Sequence, residues 1–158
     1  MIITTERCTI RLFKESDLDD FMHYRNNPEW MKYQVYKCLD KDTYRKQLLQ
    51  SFTLEGFNRL AIALSENDQV IGDLLVKKTD DKLWIGYTIT PEYARQGYAY
   101  EATLAAVEFL FQSGIHEIYA GCEKPNIASK NLLEKLGFQF LYEDERGYNF
   151  VLKNPSGI

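Results

Sequence analysis

Three alternating runs, at residues 59–65, 69–78 and 83–90, are separated only by Glu66-Asn67-Asp68 and Thr79-Asp80-Asp81. Strand side chains point to alternate faces, and polar links this short can only join antiparallel neighbours. This stretch is therefore restricted to a three-stranded meander. The third run does not fold back. It passes through Pro91-Glu92-Tyr93-Ala94-Arg95-Gln96-Gly97 into an amphipathic stretch, 97–112, with Ala99, Ala102, Ala106, Phe109 and Leu110 on one face. A strand thus feeds a helix through a turn that contains Gly97. A helix N-terminus leaves several amides without partners and carries partial positive charge. The junction reads either as an anion site or as an ordinary tight turn.

The remaining periodicities complete the order. Residues 9–13 alternate as a strand. Ser16 reads as the N-cap of a helix with Leu18, Phe21 and Met22 inward, stopped at Asn26-Asn27-Pro28. A second helix starts at Asp40 or Asp42, runs through Tyr44, Leu48, Leu49 and Phe52, and ends near Gly56. After the long helix come a strand at 115–122 and a helix from Asn126 or Ile127 to Leu136. A hairpin at 138–142 and 148–152 then closes around Glu145-Arg146-Gly147. The sequence predicts β-α-α-β-β-β-α-β-α-β-β. This is a mixed α/β (α+β) fold with helices on both faces of a twisted sheet, one domain over residues 1–158.

Composition narrows the function classes. At 45% hydrophobic residues the chain can bury a core, and its formal charge of −4 gives no footprint for nucleic acid. The longest apolar runs are a few residues, too short to span a membrane, and the start of the chain lacks the build of a signal peptide, so a cytoplasmic protein is expected. Cys8, Cys38 and Cys122 are odd in number and widely spaced, and His23 and His116 stand far apart, so no metal site is expected.

A second polar segment changes the weight of the first. Asn126-Ile127-Ala128-Ser129-Lys130-Asn131-Leu132-Leu133-Glu134-Lys135-Leu136-Gly137-Phe138 follows the next strand, with Asn126 and Ser129 one helical turn apart. Together with Ala94-Arg95-Gln96-Gly97-Tyr98-Ala99 it resembles the GCN5-related N-acetyltransferase superfamily. The first segment is similar to that family's Gln/Arg-x-x-Gly-x-Gly/Ala acetyl-CoA loop, the second to its Asn-x-x-Ser helix. Ile10-Arg11-Leu12 and the run from Asn27 to Tyr33 resemble the branch that holds the ribosomal-protein N-terminal acetyltransferases.

The resemblance implies a sheet splayed near Tyr87 and Tyr119, with acetyl-CoA in the split and no metal. Amides of Arg95, Gln96, Gly97, Tyr98 and Ala99 would hold the pyrophosphate, and the pantetheine arm would lie beside Thr88, Ile89 and Thr90. The amide of Ile89 or Thr88 would polarise the thioester carbonyl, Asn126 would bond the arm, and Ser129 would sit near the sulfur. Three departures stand out. Ala94 replaces the long polar residue, Arg95 stands where Gly is usual, and Leu133 replaces a frequent catalytic Tyr. Ser129 then becomes the candidate proton donor, against a role confined to its own helix.

For the acceptor, Trp30, Tyr33 and Tyr36 read as a substrate lid or as ordinary packing. Asp73, Glu123 and Glu29 are the carboxylates available as a base, with Asp73 also a candidate acceptor contact. An α-amine, with a pKa near 8, is roughly one-tenth neutral at pH 7 and has less need of a base than a lysine amine. The expected reaction is direct attack by an amine (a peptide N-terminus, polyamine, amino sugar or antibiotic) in a ternary complex, by a monomer or a homodimer. The rivals are a catalytically silent acyl-CoA-binding regulatory module and a peptide-binding domain that uses no acyl-CoA.

Overall fold

The computed structural model describes residues 2–156; Met1 and residues 157–158 of the expected domain span lie outside them. The strands are β1 (Ile3–Thr4), β2 (Cys8–Arg11), β3 (Phe57–Leu64), β4 (Val70–Thr79), β5 (Lys82–Ile89), β6 (Glu117–Cys122), β7 (Gln139–Glu143) and β8 (Tyr148–Lys153). The helices are α1 (Leu18–Arg25), α2 (Lys41–Leu48), α3 (Tyr98–Gln112) and α4 (Ile127–Lys135). The strands form one eight-stranded sheet in the order β1-β2-β3-β4-β5-β6-β8-β7.

The meander forms as the alternation requires, with Arg59 opposite Leu75 and Leu75 opposite Gly86. Among the described residues only β5 and β6 run parallel, and they pair at just two positions, Leu83 with Ile118 and Trp84 with Tyr119. Beyond that point β5 stays with β4 as far as Ile89, while β6 stays with β8 as far as Cys122. The sheet therefore splits, next to Tyr119 as the sequence suggested.

Each face has its own core. Leu60, Ile62, Leu74, Ile85, Ala102, Ala106, Leu110, Leu133 and Phe150 fill the face covered by α3 and α4. Phe13, Leu18, Phe21, Tyr24, Met31, Tyr44 and Ala61 fill the face covered by α1 and α2. Burying each large apolar side chain contributes about 1.5–3 kcal/mol.

Three local expectations change. Ser16 does not cap α1, because Asp17 is buried and accepts from Arg11 Nη1 and from the Lys14 amide, both at 2.7 Å. A single 3₁₀ turn, Glu15–Asp17, precedes the helix instead. The second helix stops at Leu48, because buried Asn58 clasps Thr53 through Thr53 N–H (2.8 Å) and Thr53 C=O (2.6 Å) and holds the following segment as a turn. Short β1, which pairs with β2, carries too few residues to show a period in sequence.

Candidate functional site

Helices α2, α3 and α4 begin differently. Asp40 Oδ1 accepts the Thr43 amide at 2.8 Å and caps α2, and Asn126 Oδ1 accepts the Ser129 amide at 3.3 Å and caps α4. Among the described residues no side chain caps α3. Its N-cap, Gly97, has φ +84°, and Arg95 two residues earlier has φ +61°. Arg95 thus adopts the left-handed conformation that the usual Gly enters freely, at about 1–2 kcal/mol for a residue with a Cβ. Left-handed residues that alternate with an ordinary one, followed by a helix start, suit a concavity of backbone amides. Arg95, Gln96 and Gly97 are exposed there, with Tyr98 and Ala99 half-buried.

The loop before β2 braces this turn. Glu101, in the first turn of α3, accepts from Thr5 Oγ1 (2.6 Å), the Arg7 amide (2.8 Å) and Arg7 Nε (2.7 Å). Burial pushes the Glu101 pKa up, but these donors outweigh it and hold it below its ordinary value. Arg7 also donates to the Gln96 carbonyl at 3.0 Å and lies over the Tyr98 ring at 3.9 Å. A cation therefore sits under the open helix end. Nothing local in the sequence marks Arg7, since its partners are ninety or so residues away.

Beside that end, the split exposes the edge of β5. The Thr90 amide donates to Ile71 on β4 at 2.7 Å. Antiparallel alternation therefore turns the Thr88 amide toward β4 and the Ile89 and Tyr87 backbones toward the split. Trp30 Nε1 donates to the Ile89 carbonyl at 2.9 Å, which agrees with that direction. Across the split, Ser129 Oγ lies 2.8 Å from the Tyr87 hydroxyl, which also reaches the Ser129 carbonyl at 3.2 Å. Ser129 Oγ thus faces the strand rather than its own helix. Burial raises the Tyr87 phenol pKa well above its ordinary value, only partly opposed by the Ser129 bond, so it stays a protonated donor. Cys122 also borders the cleft; burial raises its pKa, so the thiol stays protonated.

The cleft holds about 870 Å³ and runs from Tyr33 and Tyr36 past Arg59, Gly86, Tyr87 and Thr88 to Glu123, Asn126, Ser129 and Tyr148. It brings together Tyr33, Tyr36, Thr88, Asn126 and Ser129 of the sequence candidates. Trp30 is not on its lining; it lies at the C-terminal edge of β5, 40% exposed. Glu29 is an exposed residue off the lining, whereas Glu123 is on it.

Asp73 requires a correction. Expected to contact the acceptor or act as a base, it is 0% exposed. Its oxygens accept from Tyr24 Oη (2.5 Å), Arg25 Nη2 (2.6 Å) and Arg59 Nη1 (2.8 Å). Burial raises its pKa, but Arg25 and then Arg59 more than compensate, so the pKa is lowered and the carboxylate stays ionised. Enclosed by three donors, it anchors the cleft floor. Position on a strand gave no sign of this, because Asp73 and its partners Arg25 and Arg59 lie on three different elements.

A family model for the acetyltransferase (GNAT) domain matches residues 7–139, most of the chain. The chain belongs to this family, and it is an N-acetyltransferase. Its relatives include YnaD, an uncharacterized N-acetyltransferase of Bacillus subtilis (strain 168), 28% identical over 142 residues, 88% of this chain and 83% of that one. The fold is shared with an acetyltransferase from Bacillus anthracis (TM-score 0.84, 22% identity, 98% and 99% of the two chains). It is shared also with a ribosomal-protein α-N-acetyltransferase in complex with coenzyme A (TM-score 0.80, 16% identity, 97% and 98%).

Proposed function

We propose that the chain forms one domain that transfers the acetyl group of acetyl-CoA to a primary amine, by direct attack in a ternary complex. The observation that carries this is the adjacency of two open backbone features: the uncapped N-terminus of α3 and the free edge of β5 where the sheet splits. The amides of residues 95–99 suit a pyrophosphate, since they are presented without a competing cap and with Arg7 beneath them. The β5 edge suits the amide-bearing pantetheine arm, which pairs with a strand as an added strand does. Bound acetyl-CoA supplies the activated acetyl group.

The chain's own residues then divide the work. The outward Ile89 amide, rather than that of Thr88, is aimed to donate to the thioester carbonyl oxygen. Asn126 keeps its Nδ2 donors for the arm while its Oδ1 caps α4. Tyr87 and Ser129 form a hydroxyl pair that gives a proton to the departing thiolate. Glu123 is the carboxylate from the sequence reading that remains on the cleft as a base, and Tyr33 and Tyr36 form the acceptor wall. Holding amine and thioester in contact provides most of the acceleration. Cys122, the cysteine on the cleft lining, stays protonated, which disfavours a covalent acyl-enzyme there.

The test is thiol release from acetyl-CoA across peptides with free N-termini, polyamines, amino sugars and aminoglycosides, alongside thermal stability with acetyl-CoA. Turnover with one acceptor class is expected. Acetyl-CoA at ~100 times its Kd is expected to stabilise the fold by ~2.7 kcal/mol. Stabilisation without turnover on any amine would favour the silent binding module; no stabilisation would remove acetyl-CoA from the account.

A further inference from the structure

On the face of the sheet covered by α1 and α2, two guanidiniums surround one carboxylate. Arg25 and Asp73 are both 0% exposed at their side chains, and Arg59 is 8% exposed. The cluster therefore holds one positive charge more than it neutralises, in a place where an unbalanced charge is expensive. The aromatic faces of Tyr36, 4.5 Å from the Arg59 guanidinium, and Phe57, at 5.8 Å, offset part of that charge. They supply no hydrogen-bond acceptor in the plane of the guanidinium fork. Arg25 spends its other hydrogen bond on the Tyr36 carbonyl at 3.0 Å. Arg59 gives only Nη1 to Asp73; its Nε is buried without a partner, as is Arg25 Nε, and its Nη2 has no partner among the described residues. Arg59, unlike Arg25, lines the cleft.

From this geometry we infer that Arg59, held in place by Asp73, is a specificity residue that takes a carboxylate on the acceptor, so the enzyme acetylates amines that also carry an acid group. The inference rests on the acetyltransferase reading above and names the acceptor class. The remaining Nη2 can donate a charge-assisted hydrogen bond to a carboxylate, and a carboxylate here balances the surplus cation. The register sets the spacing. Arg59 starts on β3 opposite Leu75 and reaches across to Asp73, which is paired with Thr88 of β5. Its guanidinium therefore lies above β4, one strand short of β5, and the split opens on the far side of β5. One to two strand spacings separate acid and amine, roughly 5–10 Å. That span fits an ω-amino acid of four to six carbons or a dipeptide better than a free α-amino acid.

The experiment compares matched acceptors: ω-amino acids against their carboxamides, and dipeptides with free against amidated C-termini. The acids should show at least tenfold higher kcat/KM, expressed in KM. Arg59→Gln should erase that preference while leaving kcat/KM for the carboxamides within about twofold, and Arg59→Lys should retain part of it, because it keeps the charge without the fork. Hexanoate, an acid with no amine, should raise the melting temperature of the wild type and not of Arg59→Gln. Equal kcat/KM for acids and carboxamides, or an acid preference that survives Arg59→Gln, would overturn the inference while leaving acetyl transfer intact. If no amine is acetylated, hexanoate decides alone: stabilisation of the wild type that is lost in Arg59→Gln or reduced in Arg59→Lys supports the site, and no stabilisation of the wild type removes it. Arg59→Lys stands in should Arg59→Gln fail to fold.

Discussion

The two regions that flank the sheet split are built from different materials. The α3 side presents backbone: uncapped amides after two left-handed residues, and the free edge of β5. The α1/α2 side presents side chains, with a buried carboxylate holding two arginines beneath Tyr36. Backbone groups are the same whatever the residue, so the first side should tolerate side-chain changes and fail only when the conformation changes. The second side depends on charge balance in a buried place, and removing its one carboxylate leaves both arginines uncompensated.

The largest effect should therefore come from the floor. Asp73→Ala strands two buried guanidiniums and should destabilise the fold by about 3–5 kcal/mol in urea denaturation. A loss below ~1 kcal/mol would mean that the cluster is solvated and the contrast false. The acid limb adds a second reading. The folded pKa of Asp73 lies below its unfolded value, so its stabilisation is complete above the unfolded pKa and disappears as pH falls through the folded one. Asp73→Asn should flatten that limb.

Next comes the hydroxyl pair at the split. Tyr87→Phe and Ser129→Ala should each lower kcat about tenfold or more, roughly 1.4 kcal/mol or above, with little change in KM for acetyl-CoA. The double variant should fall short of the product of the two, because the hydroxyls act on one proton. Full additivity would separate them, and an unchanged rate in Ser129→Ala would assign the proton to Tyr87 alone.

The backbone side is broken by geometry. At Gly97 a Cβ would approach Arg7 Nη2 to 3.2 Å, and φ is +84°. Gly97→Val forces a β-branched residue into that region, and about 1–2 kcal/mol, or roughly tenfold, should be lost in acetyl-CoA affinity by calorimetry. Gln96→Ala sharpens the contrast. Its side chain bonds only the Glu92 carbonyl at 3.1 Å, so affinity should stay within about 0.5 kcal/mol. A strong loss there would show that side chains, not amides, hold the anion.

How much of this was legible depended on how far each signal reaches along the chain. The meander, α3 and α4 were readable because alternation and helical periodicity are local, and Asp40 and Asn126 cap helices three residues from the amides they accept. The Gly97 turn stood out because a Gly between a strand and a helix is visible in a dozen residues. Asp73 was read with the wrong surroundings, and Arg59 and Arg7 escaped notice. Their partners lie 14 and 48 residues away for Asp73 in Arg59 and Arg25, and 94 for Arg7 in Glu101. An arginine near the start of a strand looks solvent-facing until the Tyr36 ring that covers it is in place.

The sequence by itself determined the element order from β2 onward, the strand–Gly–helix junction and the polar helix after it, because backbone conformation follows from neighbouring residues. Only the tertiary structure decided which amide of β5 faces the split and that Ser129 meets Tyr87. It alone showed that Asp73 is a buried anchor holding Arg59 through one of its nitrogens. Those facts depend on strand register and on burial, and burial sets the strength of every charge in the cleft.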